Sequence, residues 1–88
     1  MDLLAIKPCK ADAFEVIPKE ELRLDLDRCE RMLKGKGYEI VSNPGVMLVV
    51  RRGVEMTLYP RGRVLLHPVE SKELAEALAQ ELFTALEL

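Results

Sequence analysis

Residues 54–82 read VEMTLYPRGRVLLHPVESKELAEALAQEL, and this stretch decides the fold class. Two runs of alternating apolar residues are joined by Pro60-Arg61-Gly62 and followed by leucines at every fourth position. Alternation is typical of a half-buried strand, and Pro followed by Gly fits a tight turn. Leucines spaced by four form one face of a helix, and Ser71 is a favourable N-cap. The stretch predicts a β-hairpin followed by an amphipathic helix.

The same alternation divides the hairpin side chains between two faces. The short turn places Tyr59 opposite Arg63 and Thr57 opposite Leu65. One face is apolar and can be buried under helices; it comprises Val54, Met56, Leu58, Val64 and Leu66. The other is mixed, as expected of a face that meets water or a partner; it comprises Glu55, Thr57, Tyr59, Arg63, Leu65 and His67.

The residues upstream extend the hairpin into a larger sheet. Residues 38–42 and 46–51 are further strand-like runs, separated by Asn43-Pro44-Gly45 and then by Arg52-Gly53. Connections this short force antiparallel neighbours, so we expect a four-stranded meander formed by residues 38–42, 46–51, 54–59 and 63–67.

A helix is predicted before the meander. It follows Pro18, has an apolar face of Leu22, Leu26, Cys29 and Leu33, and ends at a left-handed stop supplied by Gly35 and Gly37. Residues 14–17 are a candidate strand, whereas residues 1–13 receive no assignment. We therefore expect an α+β fold in the order β-α-β-β-β-β-α, with a four- to five-stranded antiparallel sheet and two helices on one face.

Length and composition narrow the class of protein. The chain has 88 residues, 49% of them apolar, and a net charge of −2, which fits one globular domain over residues 1–88. We expect no membrane span and no signal peptide, and hence a cytoplasmic protein. Cys9 and Cys29 are expected to be free thiols, although a bridge between them is left open.

No constellation of residues predicts catalysis. His67 is the only histidine and has no paired nucleophile, because Ser42 lies at a strand end and Ser71 caps a helix. A metal site would need both cysteines and His67 to converge with a fourth ligand, but Cys29 has core spacing. The sequence therefore predicts no enzyme activity, no metal and no cofactor.

Four arginines are candidates for phosphate contacts: Arg51, Arg52, Arg61 and Arg63. The first two are expected at one end of a strand and the last two at the other, about 17–20 Å away. Such residues could contact the phosphates of two nucleic-acid strands. They are also typical of strand ends and turns, where charged side chains keep a protein soluble and discourage pairing of sheet edges, and we favour this second interpretation.

The pattern over residues 14–86 resembles one repeat of the TATA-box-binding-protein (TBP) fold. Tyr59 falls on the family's aromatic position, Gly62-Arg63 on its Gly-basic turn, and Ser71 on the opening of its last helix. The resemblance implies helices on a convex face and a concave face that meets DNA, here carrying Glu55, Thr57, Tyr59, Leu65 and His67. The chain departs from the family in having one repeat, and Phe14 and Phe83 lie outside the positions of the family's inserted phenylalanines.

These observations favour a non-catalytic binding module. It would use the open sheet face, at Glu55, Thr57, Tyr59, Leu65 and His67, for a homodimer or a protein partner. The strand segments have more apolar residues than one helical layer needs, and any of them that lie on the open face would form an apolar patch there. These residues are Val46, Leu48, Val50, Tyr59 and Leu65. The alternative is nucleic-acid binding through the same face, as the resemblance implies. We expect such binding to be weak because the chain is slightly acidic.

Overall fold

The structure, a computed structural model, describes residues 3–88. Six strands and two helices follow one another along the chain. The strands are β1 (Leu3–Lys10), β2 (Ala13–Pro18), β3 (Glu39–Ser42), β4 (Leu48–Arg52), β5 (Val54–Leu58) and β6 (Val64–His67). The helices are α1 (Leu26–Lys34), between β2 and β3, and α2 (Lys72–Ala85), after β6. No helix within residues 3–88 is long and apolar enough to cross a bilayer.

The strands form one antiparallel sheet in the order β1-β2-β6-β5-β4-β3. The meander over β3–β6 is confirmed, and Thr57 pairs with Leu65 as predicted. Tyr59 and Arg63 close the β5–β6 turn, with Tyr59 N–H donating to the Arg63 carbonyl at 2.9 Å. The register of the hairpin was therefore predictable from its turn alone.

Both helices pack on the same side of the sheet. Leu33 of α1 and Phe83 of α2 are fully buried in one apolar cluster with the sheet residues of that side. The predicted apolar face is confirmed at Met56, Leu58, Val64 and Leu66, all of which are buried, while Val54 is partly buried against them. The other side of the sheet receives no helix.

The predicted strand count was too low. Strand β1 occupies most of the stretch 1–13 that received no assignment, of which residues 1 and 2 lie outside the described part. It pairs with β2 through Ile6 and Val16, so the candidate strand at residues 14–17 becomes an inner strand. Pro8 and two register shifts interrupt β1, and these irregularities hide its pattern in the sequence. The observed order is β-β-α-β-β-β-β-α.

The first helix begins at Leu26, eight residues after Pro18, and not directly after it as predicted. Asp25 is its N-cap, with its carboxylate accepting from the N–H groups of Asp27 at 3.0 Å and Arg28 at 3.3 Å. The preceding segment instead runs beside the β5–β6 turn, where Leu22 and Leu24 donate to the carbonyls of that turn. Leu22 covers the turn and does not belong to the helical face. At the other end only Gly37 has a positive φ, of 91°, whereas Gly35 is right-handed.

The last helix begins as predicted. The Ser71 hydroxyl accepts from Leu74 N–H at 3.1 Å, satisfying one free donor of the first turn. The buried stripe is shifted from the leucine series, because Leu74 is exposed while Ala75, Ala79, Leu82 and Phe83 are buried. Small alanines at these positions let α2 lie close to β1 and β2.

Candidate binding face of the sheet

The side of the sheet that carries no helix is here called the open face. Its centre is a row of three partly exposed residues on adjacent strands: Leu65 on β6, Thr57 on β5 and Val49 on β4. Glu15 of β2, also partly exposed, continues this row beside Leu65. Two residues along β5 and β6 in either direction, and at Arg51 on β4, the central row is flanked by polar and charged side chains. All five predicted binding residues (Glu55, Thr57, Tyr59, Leu65 and His67) lie on this face.

The expected apolar patch differs in membership from the prediction. Leu48 and Val50 are fully buried on the helix-covered side, and Val46 lies outside the strands, between β3 and β4. Val49 was missed, although it is the residue of β4 that pairs with Thr57. Extending the hairpin register by one strand would have found it, since cross-strand partners share a face.

One end of the open face is acidic. Arg51 contacts Glu39 at 3.1 Å and Glu55 at 3.3 Å, and the three side chains are about half exposed. Beside them, His67 Nε2 lies 3.2 Å from Asp12 Oδ2. With His67 neutral, these three carboxylates and one guanidinium leave a net charge of −2. We call Asp12, Glu39, Arg51, Glu55 and His67 the acidic end.

The opposite end of the face carries Tyr59 and Arg63, here called the Tyr–Arg pair. The Arg63 guanidinium lies over the Tyr59 ring, 4.7 Å from its centroid, in a cation–π arrangement. Its carboxylate neighbour is Glu15 at 3.9 Å, which is at the limit of an ion pair. The Arg63 side chain is 49% exposed, so its guanidinium remains accessible to another anion.

The four candidate phosphate contacts are not brought together. Arg51 and Arg63 lie on the open face at opposite ends, and Arg61 lies in the turn, 3.2 Å from Glu21. Arg52 is directed to the helix-covered side, where it contacts Glu81 of α2 at 2.6 Å and lies over the Tyr38 ring. Each guanidinium has a carboxylate neighbour, so these residues form no continuous basic track.

Two depressions adjoin the open face. The smaller, of about 190 Å³, is lined by Cys9, Ala13, Glu55, Thr57, Leu65 and His67, and it is below the usual size of a small-molecule site. The larger, of about 680 Å³, is a groove between the segment after β2 and the β5–β6 turn, and Tyr59 lies on its wall. Sequence reasoning missed this groove because it depends on residues 19–24 being non-helical.

The cysteines occupy different environments, and neither forms a disulfide. Cys29 is buried in the core, and burial raises the pKa of its thiol, with the nearby Asp25 carboxylate acting in the same direction. Cys9 is exposed on the open face and shares the smaller depression with His67, but no hydrogen bond joins the two side chains. Among residues 3–88, no three His, Cys, Asp or Glu side chains form a metal-binding group.

Compared with protein-family models, curated proteins and solved structures, the chain matches none.

Proposed function

We propose that this protein is a non-catalytic binding module that holds another protein against the open face of its sheet. The observation that carries the proposal is the arrangement of that face: a central row of Val49, Thr57 and Leu65 bordered by charged residues at both ends. An apolar centre within a polar rim is the usual organisation of a protein–protein interface.

The edges of the sheet are less suited to binding than its face. Edge strand β1 contains Pro8 and two register shifts, and edge strand β3 has four residues and one register shift. Prolines, bulges and short length are the devices that prevent an edge from pairing with another strand. The face offers more contact area than either edge without requiring a new strand pair.

Nucleic-acid binding through the same face, by a fold like that of TBP, is the weaker proposal. The open face has carboxylates at one end, and its two arginines lie apart, so phosphate would meet repulsion as well as attraction. The family's inserted phenylalanines have no equivalent here, because Phe83 is buried and Phe14 packs against the core. A cytoplasmic location remains part of the proposal and agrees with an exposed free Cys9.

Site-directed photocrosslinking tests whether a protein binds the open face, and it does not require the partner to be identified in advance. One variant carries a benzophenone side chain in place of His67, which is exposed on the open face, and the matched control carries it in place of Glu76, exposed on α2. Cells expressing each variant are irradiated, and adducts are identified by mass spectrometry.

We expect a protein adduct of defined mass from position 67 and none from position 76. The absence of an adduct from position 67, or adducts of equal yield from both positions, would contradict the proposal. A nucleic-acid adduct specific to position 67 would replace it with the alternative function.

A further inference from the structure

We infer that the protein bound to the open face is a second copy of this chain, packed face to face about a two-fold axis parallel to the hydrogen-bonding direction of the sheet. The inference rests on the proposed function and names the partner that occupies the same face. It is carried by the charge pattern along the two central strands.

Strands β6 and β5 are the third and fourth of the six, so the Thr57–Leu65 pair lies at the centre of the sheet. Glu55 and Tyr59 lie on opposite sides of Thr57, each two residues away along the chain. A two-fold axis through the central pair reverses the strand direction of the second copy. It therefore places Glu55 of each copy over Tyr59 of the other.

The Tyr–Arg pair makes this superposition electrostatically favourable. Because the Arg63 guanidinium lies 4.7 Å from the centre of the Tyr59 ring, it lies where the partner's Glu55 carboxylate arrives. Glu55 is 45% exposed and Arg63 49% exposed at the side chain, so both can exchange solvent for an ion pair. Symmetry forms this contact twice in the dimer.

The acidic end supports the same orientation. A two-fold axis parallel to the strands would place the acidic end of one copy on the acidic end of the other. Six carboxylates would then lie close together with only two arginines to compensate their charge. Like-charge contact of this kind is strongly unfavourable at an interface. The perpendicular axis instead places each acidic end over a Tyr–Arg pair. Along the axis Leu65 meets its own counterpart, as do Glu15 and Lys7, which continue the same row on β2 and β1.

The size of the face indicates a weak dimer. Six strands spaced by about 4.8 Å, with about five residues each, give a face of about 24 Å by about 17 Å. Two such faces bury on the order of 1,000 Å² in total, which is below the roughly 1,200–2,000 Å² of stable complexes. We therefore expect reversible, micromolar dimerisation that weakens as salt is added.

Sedimentation equilibrium of the purified full chain, from low to high micromolar concentration, tests the inference through a charge-reversal cycle. Arg63→Glu and Glu55→Arg are each expected to weaken dimerisation by about tenfold, because each creates two repulsive contacts. The double variant restores opposite charges across the interface and is expected to return to within about threefold of wild type. Lys72→Glu, an equal charge change on the exposed start of α2, is the control and should dimerise as wild type does.

A wild-type chain that stays monomeric throughout this range would overturn the inference, as would a double variant no better than the single ones. Circular dichroism of each variant establishes that loss of association is not loss of folding. Photocrosslinking at position 67 separates this outcome from the proposed function, because an adduct with a different protein leaves that function standing while excluding the second copy.

Discussion

Tyr59 and Tyr38 test the assignment of the two faces at the scale of single residues. Tyr59 lies on the open face under the Arg63 guanidinium, whereas Tyr38 is 4% exposed and belongs to the core. We expect Tyr59→Ala to lower the free energy of unfolding by less than about 1 kcal/mol, the value of an exposed cation–π contact. Dimerisation should weaken by about 2 kcal/mol, or about thirtyfold, because each copy loses the aromatic side chain that lies opposite the partner's Glu55.

Tyr38→Ala is the matched control for this prediction. It should lower the free energy of unfolding by more than about 2 kcal/mol, because it leaves a cavity in the core. Urea unfolding and sedimentation measured on both variants separate the two roles. If Tyr59→Ala reduced stability as much as Tyr38→Ala and left association unchanged, Tyr59 would serve the fold alone.

Gly62 is required in the β5–β6 turn because the Leu22 side chain packs closely against it. A Cβ at Gly62 would lie 2.8 Å from Leu22 Cδ1, and its φ is 98°. Gly45 has a nearly equal φ of 96° but open space around it. We expect Gly45→Ala to cost about 1 kcal/mol of stability for its backbone conformation, and Gly62→Ala at least about 1 kcal/mol more for the steric contact.

Urea unfolding of the two glycine variants measures this difference directly. Equal losses of stability would mean that the segment before α1 does not pack on the turn. The larger groove beside Tyr59 would then lose its wall.

At the scale of elements, the start of α1 shows how far local pattern determines structure. The spacing of Leu26, Cys29 and Leu33 predicted the helix correctly, but Leu22 continued that spacing without continuing the helix. The position of Leu22 is decided by hydrogen bonds to residues about forty positions away, in the β5–β6 turn. No local pattern reveals these long-range hydrogen bonds. The local signal that could have placed the start of the helix correctly is its N-cap residue, Asp25.

A pair of alanine substitutions distinguishes the two possible starts of α1. Asp25→Ala should reduce stability by about 1 kcal/mol, since its carboxylate accepts from two backbone N–H groups of the first turn. Glu20→Ala should change stability by less than about 0.5 kcal/mol, because Glu20 is an exposed residue outside the helix. Thermal unfolding of both variants is the measurement, and a larger effect at Glu20 would place the helix start after Pro18.

The strands show a similar division between local and distant information. The alternation over β5 and β6 predicted their register and faces, because the tight turn between them fixes which residues are opposite. Strand β1 escaped prediction, since Pro8 and its bulges break the alternation. The partial exposure of Val49, by contrast, follows from its register with Thr57 and could have been predicted.

At the scale of the whole molecule, one-sided coverage of the sheet determines what the protein can do. Two helices bury one face, both sheet edges are irregular, and the remaining face has opposite charges at its two ends. We therefore expect copies of the chain to associate through the open face and not through the helices or the edges.

Methyl correlation spectra recorded over a dilution series test this claim most directly. Along each central strand the side chains alternate between the two faces, so Val49, Thr57 and Leu65 report on the open face and Val50, Met56 and Leu66 on the core. We predict concentration-dependent shifts at the first three methyl-bearing residues and much smaller changes at the second three. Shifts confined to Leu74 on the exposed side of α2, or spectra unchanged from low micromolar to millimolar concentration, would contradict association through the open face.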